Sequence, residues 1–161
     1  MSRRILNRSA LEQGIAEQLG RQLSARTLLF HQAIAERLGL HPTDLKCLDL
    51  ARAESDITAG RIAELTGLTT AAVTSVIDRL ERSGLVRRER DPEDRRKVLV
   101  RTVPERAPEI GELFASLDKG MRQLFAQYTS GELELIKKFA TQLDELMQTE
   151  TMKLRAVARR P

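Results

Sequence analysis

The chain has 161 residues, 41% hydrophobic and 31% charged, long enough to bury one core and too apolar to remain disordered. A single cysteine, Cys47, excludes an internal disulfide framework and fits the reducing cytoplasm. No apolar run approaches the ~20 residues that span a bilayer, and none follows the N-terminal arginines as in a secretion signal.

In chain order, the reading is of a single domain, mainly α with a small β-hairpin. Ser9 and Glu12 have the spacing of a capping box, and Leu11, Ile15, Leu19, Leu23, Leu28, Ile34 and Leu38 continue a helical period to Gly39, a C-terminal glycine. Gly14 and Gly20 weaken this long helix, so packing must support it. His41-Pro42 starts a second helix, with Leu45, Cys47 and Leu48 on its apolar face. Thr58 caps a short third helix, Ala59 to Leu65; Gly67 turns the chain; a fourth helix runs from Thr70 to Arg82 and leaves through Gly84. Two extended runs, Leu85–Arg90 and Val98–Val103, flank the turn-forming segment 91–97 and predict a protruding hairpin. Helix returns after Pro108, and Thr129 with Glu132 caps a last apolar-striped helix through Leu146.

These elements group into dimerisation helices at 9–38 and 105–148, a winged helix-turn-helix lobe at 42–103 with its core at 57–103, and basic tails at 1–8 and 149–161.

The segment Ala63 to Val76 carries the chemistry. A helix-turn-helix needs a small residue where its helices touch, here Ala63, and a residue tolerant of positive φ four positions on, here Gly67. It also needs an apolar inner face on the second helix, here Val73, Val76, Ile77 and Leu80. By subtraction, Thr70, Ala71, Thr74, Ser75 and Asp78 face outward. Small side chains, hydroxyls and methyl groups suit close approach to the major groove, although on an isolated helix the same residues would simply face water. Arg79 and Arg82 can reach phosphates, and Asp78 calls for a partner, either Arg82 or an arginine of the hairpin.

Charge agrees with this placement. Outside its basic ends the chain is acidic, yet residues 79–101 hold nine basic against five acidic residues. A basic island in an acidic body is a directed patch. Arg95, Arg96 and Lys97 form the hairpin tip, where arginine suits a narrow minor groove, and Asp94 can hold a neighbouring arginine extended.

The pairing of Asp78-Arg-Leu-Glu with Gly84-Leu-Val and Arg88, followed by Asp91-Pro-Glu-Asp-Arg-Arg96, resembles the MarR family of bacterial transcriptional regulators over most of the chain. The resemblance implies a repressor that binds a palindromic double-stranded operator as a homodimer built from the terminal helices. It assigns Thr70, Ala71, Thr74 and Ser75 to the major groove, Arg79 to a phosphate, and Arg96, supported by Asp94 beside Arg95, to the minor groove. Ser75 stands where many members carry arginine. The resemblance also implies release by a small aromatic or phenolic effector bound between the dimer helices and the lobe.

No residue pattern identifies that effector. His31 and His41 could face it, although lone histidines commonly serve as surface or capping residues. His31, His41 and Cys47 lack metal-ligand spacing, and Cys47 at an apolar helical position reads as core. No cofactor is expected, and no phosphate loop, nucleophile elbow or His–carboxylate cluster suggests an enzyme. The competing class is a winged helix used for protein–protein contact, which salt-dependent duplex binding would separate from a DNA reader.

Overall fold

A computed structural model describes residues 7–158. Its elements are α1 (Arg8–Glu17), a wide π turn (Gln18–Leu23), α2 (Ser24–Arg37), α3 (Pro42–Ala53), α4 (Ala59–Thr66) and α5 (Thr70–Arg82). Then follow β1 (Val86–Arg90), β2 (Val98–Thr102), a 3-10 turn (Pro104–Arg106), α6 (Ala107–Phe125) and α7 (Ser130–Ala158). The expected mainly helical fold with one hairpin is the fold observed. The chain divides into two compact units, residues 1–110 and 111–161.

In the first unit, the Ser9–Glu12 capping box is not formed. Asn7 caps α1 by accepting the Ser9 N–H at 3.3 Å, and Glu12 instead pairs with Arg8 Nε at 2.7 Å. Asparagine is as good a cap as serine, and here it stands two residues earlier. α1 passes into α2 through the π turn, which contains Gly20. Ile15, Leu19 and Leu23 recur every four residues, a spacing that drifts around an α-helix and that a wider turn keeps closer to one line.

α2 closes at Gly39 (φ +66°), with Leu40 N–H bonding Ala35 O at 2.8 Å and Gly39 N–H bonding Glu36 O at 3.1 Å. This paired closure uses carbonyls the helix end would otherwise leave bare, and glycine takes the left-handed conformation without a Cβ clash. The same closure recurs at Gly84 after α5. His41 and Pro42 begin α3 as expected. The His41 Nδ1 accepts the Thr43 N–H, and Asp44 accepts the His41 N–H at 3.4 Å, so His41 is a capping residue.

The core lies between α3, α4, α5 and the hairpin. Leu45, Cys47 and Leu48 of α3 meet Ile62 of α4 and the inner face of α5, where Val73, Val76, Ile77 and Leu80 are all buried as predicted. Each such large side chain contributes roughly 1.5–3 kcal/mol by leaving water. The hairpin is antiparallel, with Val86 opposite Thr102 and Arg90 opposite Val98. A third pairing escaped the sequence reading: Thr58 bridges Leu99, and Val100 N–H bonds Ile57 O at 2.8 Å. This ties the wing to the start of α4.

In the second unit, α7 is capped as predicted: Glu132 accepts the Thr129 N–H at 2.8 Å, and the Thr129 hydroxyl accepts the Glu132 N–H at 3.3 Å. Thr129, through its backbone N–H and then its hydroxyl, holds the Glu132 carboxyl below its ordinary range. The helix does not stop near residue 148 but continues to Ala158, so most of the expected basic C-terminal tail is helical. Thr149 and Thr151 lie within it, their hydroxyls donating to the carbonyls four residues back at 2.9 and 2.7 Å. Arg3, Arg4, Arg159 and Arg160 lie outside the described residues.

Candidate nucleic-acid interface

The turn between α4 and α5 is built as its residues dictate. Thr58 accepts the Arg61 N–H at 3.2 Å to start α4, and Gly67 ends it with φ +75°. Thr69 then accepts the Ala72 N–H at 3.2 Å and starts α5, so both helices of the motif are capped by threonine hydroxyls.

With four residues of α5 anchored in the core, Thr70, Ala71, Thr74 and Ser75 are left together on its exposed side. The Thr74 hydroxyl donates to Thr70 O at 2.9 Å and the Ser75 hydroxyl to Ala71 O at 3.1 Å. Their oxygens keep free lone pairs, and none of these four side chains is charged. Asp78 is also exposed. Of its two expected partners, it takes the arginine of the hairpin: Arg88 Nη2 lies 2.6 Å from Asp78, and the Arg88 Nη1 bonds Glu81. Arg82 reaches only the Asp78 carbonyl, at 3.2 Å. Arg88 therefore joins β1 to α5.

Arg79 reaches across to α3. Its Nε lies 2.9 Å from Asp44 Oδ2 and its Nη2 2.6 Å from Oδ1, a two-pronged pair with a carboxylate that is 1% exposed. Asp44 is the residue that sequence reasoning missed. An aspartate three residues into a helix after His-Pro signals a cap, but nothing local points to a partner 35 positions away.

At the wing tip, Asp91 Oδ1 accepts the Glu93 N–H at 2.8 Å and Lys97 N–H bonds Asp94 O at 2.8 Å, closing the loop. Asp94 Oδ1 accepts both the Arg96 N–H and its Nε–H at 3.1 Å. The Arg96 side chain thereby holds the Asp94 carboxyl below its usual range. Arg96 remains 91% exposed at its side chain, and Arg95 is exposed beside it. Arg101 anchors the base of the hairpin to the loop before α4, bonding Ser55 O and pairing with Asp56 at 2.8 Å.

Cys47 lies in the core beneath this surface, and burial followed by the nearby Asp44 charge pushes its thiol up to about 11. It should therefore be inert: at pH 8, alkylation of the folded protein should run roughly 100-fold slower than for an exposed thiol, because little thiolate is present. Labelling as fast as in denaturant would contradict that placement. Among the described residues, no cluster of three or more His, Cys, Asp or Glu side chains could hold a metal ion, and no helix is long and apolar enough to cross a membrane.

A tight helix-turn-helix, an exposed small-residue face and an arginine-tipped hairpin together define a winged helix-turn-helix of the kind that regulators use to bind DNA. Residues 40–98 match the MarR family. Over 149 residues the chain is 44% identical to "Uncharacterized HTH-type transcriptional regulator YcgE" of Bacillus subtilis (strain 168), covering 92% of this chain and 96% of the relative. A second regulator of that organism, YsmB, is 30% identical over 93 residues, 58% of this chain and 64% of the relative. Among solved structures, the fold is similar to a MarR family protein from Bacillus stearothermophilus, with TM-score 0.65 and 23% identity over 85% of this chain and 97% of that one. It is also similar to MarR itself, with TM-score 0.55 and 24% identity over 83% and 97%. The chain belongs to the MarR family and is a DNA-binding transcriptional regulator, not an enzyme.

Proposed function

We propose that the protein is a cytoplasmic repressor that binds a pseudo-palindromic operator as a homodimer and releases it when a small aromatic or phenolic effector binds. The observation that carries the DNA contact is the exposed group of small, uncharged residues Thr70, Ala71, Thr74 and Ser75 on α5, in the same lobe as a wing tip bearing Arg95 and Arg96. The first group enters the major groove, and Arg96, held extended by Asp94, enters the minor groove. Arg79 lies at the edge of this footprint.

Support for the homodimer comes from the second unit, where Leu135, Ile136, Phe139 and Leu146 are 67, 43, 45 and 54% exposed on one chain. Support for an effector comes from a cleft of about 730 Å³ between the start of α3 and α5, lined by His41, Thr43, Ser75, Arg79 and Arg82 among others. Its size suits a small organic molecule, Arg82 supplies a positive charge that Arg79, paired with Asp44 on the same wall, does not, and an occupant would touch the reading helix directly.

Selection from a random duplex pool, followed by a salt titration, tests the proposal. The expected result is an inverted repeat with half-sites about 10 bp apart, and affinity that falls steeply with salt as counterions are displaced. Thr74→Ala or Ser75→Ala should change the selected sequence. A pool that enriches no sequence, with salt-insensitive binding, would favour a protein-interaction module.

A further inference from the structure

We infer that Asp44 is a positioning residue for DNA recognition: it withholds Arg79 from the phosphate backbone and fixes the pose of the reading helix. The inference rests on the DNA-binding reading above and departs from it at Arg79, which the family resemblance places on a phosphate.

Asp44 sits in the first turn of α3 with almost no exposed surface, and its carboxylate is met by both prongs of the Arg79 guanidinium at 2.6 and 2.9 Å. A planar fork on a carboxylate fixes both distance and orientation, which a single contact cannot do. Arg79 projects from α5 one turn beyond Ser75, so the pair ties the reading helix to α3 at the edge of the reading face. The neighbouring residue is tied the other way, Asp78 to Arg88 of β1 at 2.6 Å. Adjacent opposite charges thus brace α5 from two sides.

The energetics decide where Arg79 stays. The Arg79 side chain is 43% exposed, but that of Asp44 is only 2% exposed. If the guanidinium left for a phosphate, it would strand a buried carboxylate, whose remaining bond in the structure is the long one from the His41 N–H at 3.4 Å. Removing one partner of a buried ion pair is far costlier than replacing both. The pair therefore remains closed on DNA, and it is electrically neutral there. An arginine on the reading helix then adds orientation without adding indiscriminate attraction to phosphate.

The experiment compares the full-length wild type with Asp44→Asn and the double variant Asp44→Asn/Arg79→Gln. For each, affinity for operator and for non-operator duplex is measured across a salt series, with thermal melts run in parallel. Asparagine keeps an acceptor for the His41 N–H but frees the Arg79 charge. Asp44→Asn should bind non-operator duplex more tightly, steepen the salt slope by about 0.9, the value for one further phosphate, and lower discrimination about tenfold. The double variant should return the slope to the wild-type value. Because its paired amides leave no buried charge, it also serves as the folded control if Asp44→Asn melts early.

An unchanged slope in Asp44→Asn overturns the inference, and so does a double variant about 0.9 shallower than wild type, which would place Arg79 on a phosphate in the native complex. A merely structural role for Asp44 would weaken both duplexes alike and leave the slope unmoved. Failure of the wild type to bind any duplex would instead sink the DNA-binding reading itself.

Discussion

Phe139→Asp combined with Leu146→Asp should turn the protein into a monomer and lower operator affinity by at least about 100-fold, as expected when linked binding of two half-sites is lost. No residue of α7 through Ala156 is buried within one chain, although the helix is 29 residues long. A helix of this kind draws most of its stability from tertiary packing of its apolar side, and here that side is unfilled. Phe139 and Leu146 lie seven residues apart, two turns along the same side, and are 45 and 54% exposed. Contiguous exposed apolar side chains of this kind mark interaction surfaces. Placing two carboxylates in such an interface would cost several kcal/mol per buried ion, more than a dimer of ordinary affinity can absorb. The DNA-binding lobe should be spared, because the buried core runs from Ile34 to Ile110. Sedimentation equilibrium gives the mass, and thermal melting tests the lobe. A variant that remains dimeric with unaltered operator binding would show that α7 is not the interface.

Arg96→Ala carries the second large effect, a loss of roughly 10- to 100-fold in operator affinity with little change in melting temperature. The affinity figure follows from removing one charge-assisted hydrogen bond, about 1.5–3 kcal/mol, from the complex. The unchanged stability follows from geometry. The Arg96 side chain is 91% exposed, so its contact with Asp94 contributes little to folding. Asp94→Asn should have a smaller effect, because the arginine remains but is no longer held in its extended pose. Duplex titration of both variants checks the order. Equal affinity of Arg96→Ala and wild type would remove the wing tip from the interface.

Much of this architecture was legible because local chemistry and global fold agree there. Gly67 and Gly84 stand where positive φ is required, at +75° and +67°, and the boundaries of α5 fall at Thr70 and Arg82 as the sequence predicts. What escaped was non-local or periodic in an unfamiliar way. The Asp44–Arg79 pair spans 35 residues, and no local rule couples an aspartate in one helix to an arginine in another. The bridge from Thr58 to Leu99 is a single pairing, too short to show alternation. The π turn was visible only as a run of four-residue spacings, which also fits an ordinary α-helix. The continuation of α7 was hidden because residues 149–158 hold few large apolar side chains to extend the stripe.

Arg88 carries a consequence for how such a regulator can respond. By gripping Asp78 and Glu81 at once, it ties α5 to β1, the strand that leads to the wing tip. On the reading proposed above, helix and wing then meet DNA as a single tool. In a dimer the quantity left to adjust is the gap between two such tools, against a DNA repeat of about 34 Å that does not stretch. For the proposed dimer, control of transcription would be a matter of calipers: a small change in span would leave two intact grips unable to close on the same piece of DNA.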